Sequence, residues 1–437
     1  VIRFRSRVGI VLFFFLFLIH PLPASGEDSQ GGADWSEEFT FDAGEFKKSP
    51  FEWGGFLQLN ASHTRFHKGS SFYRLNFFDQ DQDAGKSLAG ISLQPDLTWQ
   101  EGSFKAFASA SLEGSASEGE WEDDFTLLEG YASWQATPKF SLSAGKTLLR
   151  WGKGYAFSPV AFVSRDKNPS DPDLALEGFW IVAADLVYSL PGTLKTLAFT
   201  GILLPVDGDV NEDFGQEEDL NWAGKIYLLW HDTDIDLMAL SKGSRTSRYG
   251  ADFSLNILSN LEVHGEWSLV SDSTRKVIAP DYSATVKTSD AQNYLLGIRY
   301  LTPAETTFII EYYRNGQGYT EEETETFFVL VEDATQTQLG ELRDLSAPYQ
   351  KPNFMRDYLY IRASQKEPFG WLYLTPAITS ILNIDDGSYN VIPEILYTGV
   401  TNLELRFRLN LLAGEEGTEY GEKLNRWKVE GRARYFF

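Results

Sequence analysis

The chain has 437 residues, a formal net charge of −24, an aromatic content of 15% and no cysteine. The acidic balance concentrates no positive footprint for a phosphate backbone, which excludes nucleic acid as a partner. The lack of cysteine excludes disulfides, thiolate metal sites and haem attached through Cys-x-x-Cys-His.

The first element is VIRFRSRVGIVLFFFLFLIHPLPASG. Arg3, Arg5 and Arg7 precede an apolar run from Val8 to Ile19, which is shorter than the ~20 residues a spanning helix needs. Ala24 and Gly26 stand where a signal peptidase cuts, so residues 1–26 are expected to be a secretory signal peptide removed before Glu27. Its removal takes three arginines and no acid, moving the net charge from −24 to −27. Residues 27–52 follow as a short acidic periplasmic segment, too small for the folded plug of a gated transporter. No long linker or break in composition divides the rest, so one domain is expected over residues 53–437.

From Trp53 onward the pattern is almost entirely that of strands. Eighteen segments can be placed, from 53–66, 88–101 and 103–116 to 401–413 and 424–437, most of them roughly 10 to 14 residues long, enough to cross a bilayer core when tilted. DTDIDLMAL turns Asp234 and Asp236 away from Ile235 and Leu237. SRYGADFSLNI sets Tyr249, Ala251, Phe253, Leu255 and Ile257 against Arg248, Asp252 and Asn256. NLELRFRLNLL separates Leu403, Leu405, Phe407, Leu409 and Leu411 from Glu404, Arg406, Arg408 and Asn410. In the last segment Trp427, Val429, Gly431, Ala433, Tyr435 and Phe437 share one face, with Lys428, Glu430, Arg432 and Arg434 on the other. A period of two gives each strand one apolar and one wet face.

Short joins at 101–103, 137–139, 191–193, 258–260, 302–305 and 366–368 alternate with longer ones at 67–87, 151–177, 205–220, 272–289 and 316–353. A soluble exported sheet has no reason to sort its loops this way. A barrel with both ends in the periplasm does, having tight periplasmic turns and long external loops. Closure also pairs every backbone amide in lipid and removes exposed edges. The expected fold is therefore all-β, a transmembrane antiparallel up-and-down β-barrel of about 18 strands, with the last strand paired to the first. Such a barrel is wide enough for an aqueous lumen. Its wall charges are expected from Asp234, Asp236, Arg248, Asp252, Glu404, Arg406, Arg408, Glu430, Arg432 and Arg434.

The most informative loop is RWGKGYAFSPVAFVSRDKNPSDPDLALEG, residues 150–178. Its early glycines permit tight bends, Pro159, Pro169 and Pro172 stiffen its path, and charges of both signs are dense. It either caps the barrel or enters it. Acidic stretches at 207–219 and 321–325 lack the ordered spacing of a calcium loop and read as solvated external loops. His63 and His67, His231 and His264 form no ligand or catalytic set by spacing, and no nucleophile elbow or Walker lysine pattern is present. No cofactor, metal or enzymatic activity is expected.

On the strand pattern, the sorted loops and the aromatic end, the chain resembles the broad class of Gram-negative outer-membrane porins. The resemblance implies a place in the outer membrane, contact with its lipid and lipopolysaccharide, and passive diffusion of small hydrophilic solutes or ions. It also implies that Tyr435 and Phe437 serve the assembly machinery as a terminal signal, although Gly431 is not spaced as that signal usually has it. A third external loop folds inward in many porins. By that resemblance residues 151–177 would form a constriction, with Arg150, Lys153, Arg165 and Lys167 as its basic side and Asp166, Asp171 and Asp173 as its acidic side. Homo-oligomers belong to the same expectation. Two other readings remain: a barrel that houses or anchors an exported protein in an outer-membrane complex, and an adhesion or structural barrel that uses its long loops.

Overall fold

The computed structural model describes residues 49–80, 83–172, 174 and 176–437. The expected signal peptide, most of the segment that follows it, and Asp173 lie outside the described residues.

Eighteen strands form one closed antiparallel sheet. They are β1 (Phe51–Phe66), β2 (Gly85–Glu101), β3 (Phe104–Ser117), β4 (Glu120–Thr137), β5 (Phe140–Thr147), β6 (Phe179–Ser189), β7 (Leu194–Val206), β8 (Asp219–Trp230), β9 (Thr233–Leu240), β10 (Arg248–Leu258), β11 (Leu261–Ile278), β12 (Ala284–Leu301), β13 (Thr306–Arg314), β14 (Asp357–Gln365), β15 (Leu374–Asn383), β16 (Tyr389–Val400), β17 (Leu403–Ala413) and β18 (Asn425–Phe436). Each pairs with its sequence neighbour, and β18 pairs with β1 through Tyr435 opposite Leu57 and Arg432 opposite Asn60. Every expected segment overlaps one strand, with bounds that differ by a few residues at most ends. The expected long loop at 272–289 is instead mostly sheet, because β11 and β12 continue to a tight turn at 279–283.

The alternation read from the sequence decides which face turns out. Leu57, Leu59, Trp134, Trp180, Phe199, Leu237, Phe253, Leu296, Ile395, Phe407 and Tyr435 are exposed around the outside. An apolar band on all sides is the inverse of a soluble protein's surface and fits the hydrocarbon of a bilayer. Among the described residues no helix is long and apolar enough to cross a membrane.

Four helices lie in the long connections: α1 (Ser71–Phe77) between β1 and β2, and α2 (Glu321–Asp333), α3 (Gln336–Leu345) and α4 (Ala347–Gln350) between β13 and β14. Residues 321–325, expected as a solvated acidic loop, begin α2. Thr320 accepts from Glu323 N at 3.2 Å and Glu323 accepts from Thr320 N at 3.1 Å, a reciprocal cap, while Glu321 and Glu322 suit the positive end of the helix. Below the cap, Phe327, Phe328 and Val331 are buried with Phe72, Leu75, Leu339, Leu342 and Tyr349. Phe327 and Tyr319 both lie with ring centroids 4.1 Å from that of Tyr349. This apolar core joins the two helical connections at the end of the barrel that carries the long loops.

Candidate functional site

The inward wall is divided by charge. Cross-strand pairing sets Asp236 of β9 opposite Asp252 of β10, and Asp252 opposite Glu266 of β11, so three acids stand side by side. Asp234 shares the inward face of β9 and takes a hydrogen bond from the Tyr227 hydroxyl. On the other side Arg408 pairs with Glu394 and Glu430, Arg432 with Arg406, and Arg434 with Glu404. Arg406 and Arg432 are like charges placed directly opposite, which costs stability unless neighbouring carboxylates compensate. They do: Arg406 lies 3.2 Å from Glu404 and Arg432 bonds Glu430. Arg434 donates to Gln58 at 2.7 and 3.0 Å and covers the Phe56 ring, and Arg362 of β14 reaches Glu394 at 3.2 Å.

The described residues of the connection between β5 and β6 run between these two walls. Lys153 Nζ lies 2.9 Å from Asp236 Oδ2 and 3.9 Å from Asp252 Oδ1. Asp171 accepts from Arg432 at 2.5 Å and from Arg408 at 3.0 Å. The segment therefore passes through the lumen, bound by a cation to the acidic wall and by an anion to the basic one. Burial alone would lower the Lys153 pKa, but Asp236 and Asp252 hold it above the ordinary lysine range. Burial would raise that of Asp171, and Arg408 and Arg432 hold it below the usual carboxylate range.

The other candidates are placed differently. Arg165 bonds Glu177 and Asp213 and covers Phe179 at 4.7 Å, a cluster at the base of the segment. Lys167 donates to the Gly154 carbonyl at 2.5 Å, and burial lowers its pKa despite Glu266 and Glu311. Arg150 and Asp166 are exposed. Arg248 faces inward on β10 near Arg245, whose pKa is brought down to about 10 by burial and by Arg248. Of the expected constriction charges, Lys153 and Asp171 thus meet opposite charges on the wall, while Arg165 and Lys167 are held by partners within the loops.

Several wall residues escaped the sequence reading. Glu262, His264 and Glu266 continue the period of two along β11, and Glu311 interrupts the apolar run of β13. Parity alone could have placed all four inward. Phe157 anchors the middle of the segment, its ring 4.4 Å from that of Tyr313, and so joins the lumen segment to the same apolar core as the helices. Among the described residues no cluster of acids and histidines could hold a metal ion.

No protein-family model and no curated protein sequence matches the chain. Solved structures do. Pseudomonas aeruginosa OccK11 (OpdR) is similar with a TM-score of 0.50 at 11% identity, over 88% of this chain and 95% of that one. A BenF-like porin from Pseudomonas fluorescens Pf-5 is similar with a TM-score of 0.50 at 11% identity, over 89% and 98%. Pseudomonas aeruginosa OccK2 (OpdF) is similar with a TM-score of 0.50 at 10% identity, over 89% and 97%. The chain has a porin-like fold.

Proposed function

We propose that this barrel is a passive channel for small hydrophilic solutes or ions in the outer membrane of a Gram-negative bacterium, with residues 151–177 as its constriction. The observation that carries this reading is the double attachment of one segment, through Lys153 to Asp236 and through Asp171 to Arg432, across the lumen. A segment so held narrows the aqueous cross-section, and walls of opposite sign set a field across what remains. Solutes then sort by size and by how their charge orients in that field. Arg362, Arg406, Arg408, Arg432 and Arg434 face Glu394, Glu404, Glu430 and Asp171, so the basic wall carries a small positive excess that favours anionic groups. A barrel that houses an exported protein needs an empty lumen, and here the chain fills part of its own. In this reading Tyr435 and Phe437 also serve recognition by the outer-membrane assembly machinery.

Liposome swelling tests the proposal. Vesicles carrying the folded protein should admit small sugars and amino acids at rates that fall steeply with solute size. Uptake no faster than in protein-free vesicles would contradict it.

A further inference from the structure

The side chains of Lys153 and Asp171 are the visible ends of the segment, but its early turn is held by another means. Glu266 Oε1 accepts from the backbone N–H of Lys153 and of Gly154, each at 2.6 Å, and Glu266 Oε2 accepts from Val160 N at 3.3 Å. Glu311 accepts from Tyr155 N at 2.5 Å and from Ala156 N at 2.9 Å. Five consecutive or near-consecutive amides thus converge on two wall carboxylates. Glu311 is 0% exposed and Glu266 is 4% exposed. Beneath them His264, also 0% exposed, lies with Nε2 2.9 Å from Glu311 Oε1.

The backbone is shaped for this contact. Gly152 has φ +99°, in the left-handed region, and a Cβ there would lie 1.9 Å from Ser158 Oγ and 2.7 Å from Glu266 Oε1. A Cβ on Gly154 would lie 2.2 Å from the Phe157 carbonyl oxygen. On β12, Gly297 leaves the space His264 occupies, since its Cβ would fall 2.2 Å from His264 Nε2. The GKGYAF sequence, which matches no nucleotide-binding pattern, is therefore a wrap of main-chain donors around buried carboxylates.

We infer that Glu266 and Glu311 are positioning residues that set how far the lumen segment reaches into the channel, acting through its backbone amides, and that His264 fixes Glu311 for this task. A carboxylate that accepts several amides gives charge-assisted bonds independent of the side chains it holds. The wall thereby shapes the turn at 152–160 through the main chain, while the side chains of Lys153 and Asp171 make the separate ionic attachments to the two walls. The consequence for conduction rests on the channel reading; the consequence for the segment's own order does not.

The test uses the full folded barrel in detergent or nanodiscs. Amide hydrogen exchange is followed by residue in the unsubstituted protein, Glu266→Gln, Glu311→Gln, His264→Ala and Asp171→Asn, alongside single-channel conductance. Glu266→Gln should speed exchange at Lys153 and Gly154, and Glu311→Gln at Tyr155 and Ala156, each by roughly tenfold or more, as expected when a charge-assisted bond is lost. His264→Ala should reproduce the Glu311 pattern in weaker form. Asp171→Asn should instead loosen Asn168 to Asp171 and leave 153–156 protected, a division that a general loss of structure would not give. Conductance should rise in the glutamate variants. Gly152→Ala attacks the same wrap from the segment's side, so it carries the test if a wall variant fails to assemble. Unchanged exchange at 153–156 in the assembled glutamate variants and in Gly152→Ala would overturn the inference. Faster exchange in a protein that conducts nothing would uphold it and count against the channel.

Discussion

Asp171 and Arg432 stand 261 positions apart in the sequence, yet the Asp171 carboxylate accepts from the Arg432 guanidinium at 2.5 Å across the lumen. Arg408 shares the same oxygen at 3.0 Å. Asp171→Asn should therefore release the far end of the segment, with a loss of about 2 kcal/mol for each weakened charged bond. Single-channel recording should find a larger conductance and a reversal potential shifted toward anions, because two arginines lose a countercharge. A reversal potential equal to that of the unsubstituted protein would argue against this contact.

Proton titration should show the same attachment from both ends. The Asp171 pKa is lowered in the folded state, so its contribution is present above its ordinary value of 3.8 and is lost as pH falls through the lower folded value. The Lys153 pKa is raised, so its contribution is complete below its ordinary 10.5 and is lost as pH rises through the higher folded value. Conductance should be flat between these limits and should rise at both extremes. Lys153→Met should remove the alkaline rise and leave the acid one.

Phe157→Ala should loosen the segment without opening the barrel. The ring is 7% exposed and stacked on Tyr313, and such a truncation costs about 3–5 kcal/mol. Limited proteolysis should cut within 150–178 sooner, while the heat-modifiable gel mobility of the folded barrel persists. Loss of that mobility would mean that Phe157 supports the sheet itself.

The strands and their faces were legible because a period of two in a membrane barrel leaves little choice. Arg432 and Arg434 must face the lumen once Tyr435 faces lipid. The helices were not legible in that way: a loop that packs on other loops needs only local caps, and Thr320 with Glu323 was the available signal. The partners of the lumen segment were hidden for a different reason. Asp236, Glu266, Glu311 and Arg432 come from four strands, and nothing in local spacing states which of them a loop inserted from β5 will meet. Arg165 illustrates the limit, since Glu177 and Asp213 hold it at the segment's base.

The closing strand gives a prediction about assembly. Phe437 lies with its ring centroid 5.7 Å from that of Trp53, and Phe436 pairs with Phe56 of β1. Deleting Tyr435 to Phe437 removes the end of this seam and should sharply reduce heat-modifiable barrel in outer-membrane fractions. Phe437→Ala should do so more mildly. Unchanged assembly after the deletion would remove the terminus from the account.

The most direct measurement of the channel and its constriction is planar-bilayer conductance of purified, heat-modifiable protein, intact and with residues 159–173 shortened. Arg165→Ala and a neutralised Glu322 serve as controls away from the charged walls. The intact barrel should give discrete steps, the shortened one a clearly larger unit conductance, and both controls smaller changes. Well-folded protein that produces no steps, or a shortened segment that leaves their size unchanged, would contradict the proposed constricted channel.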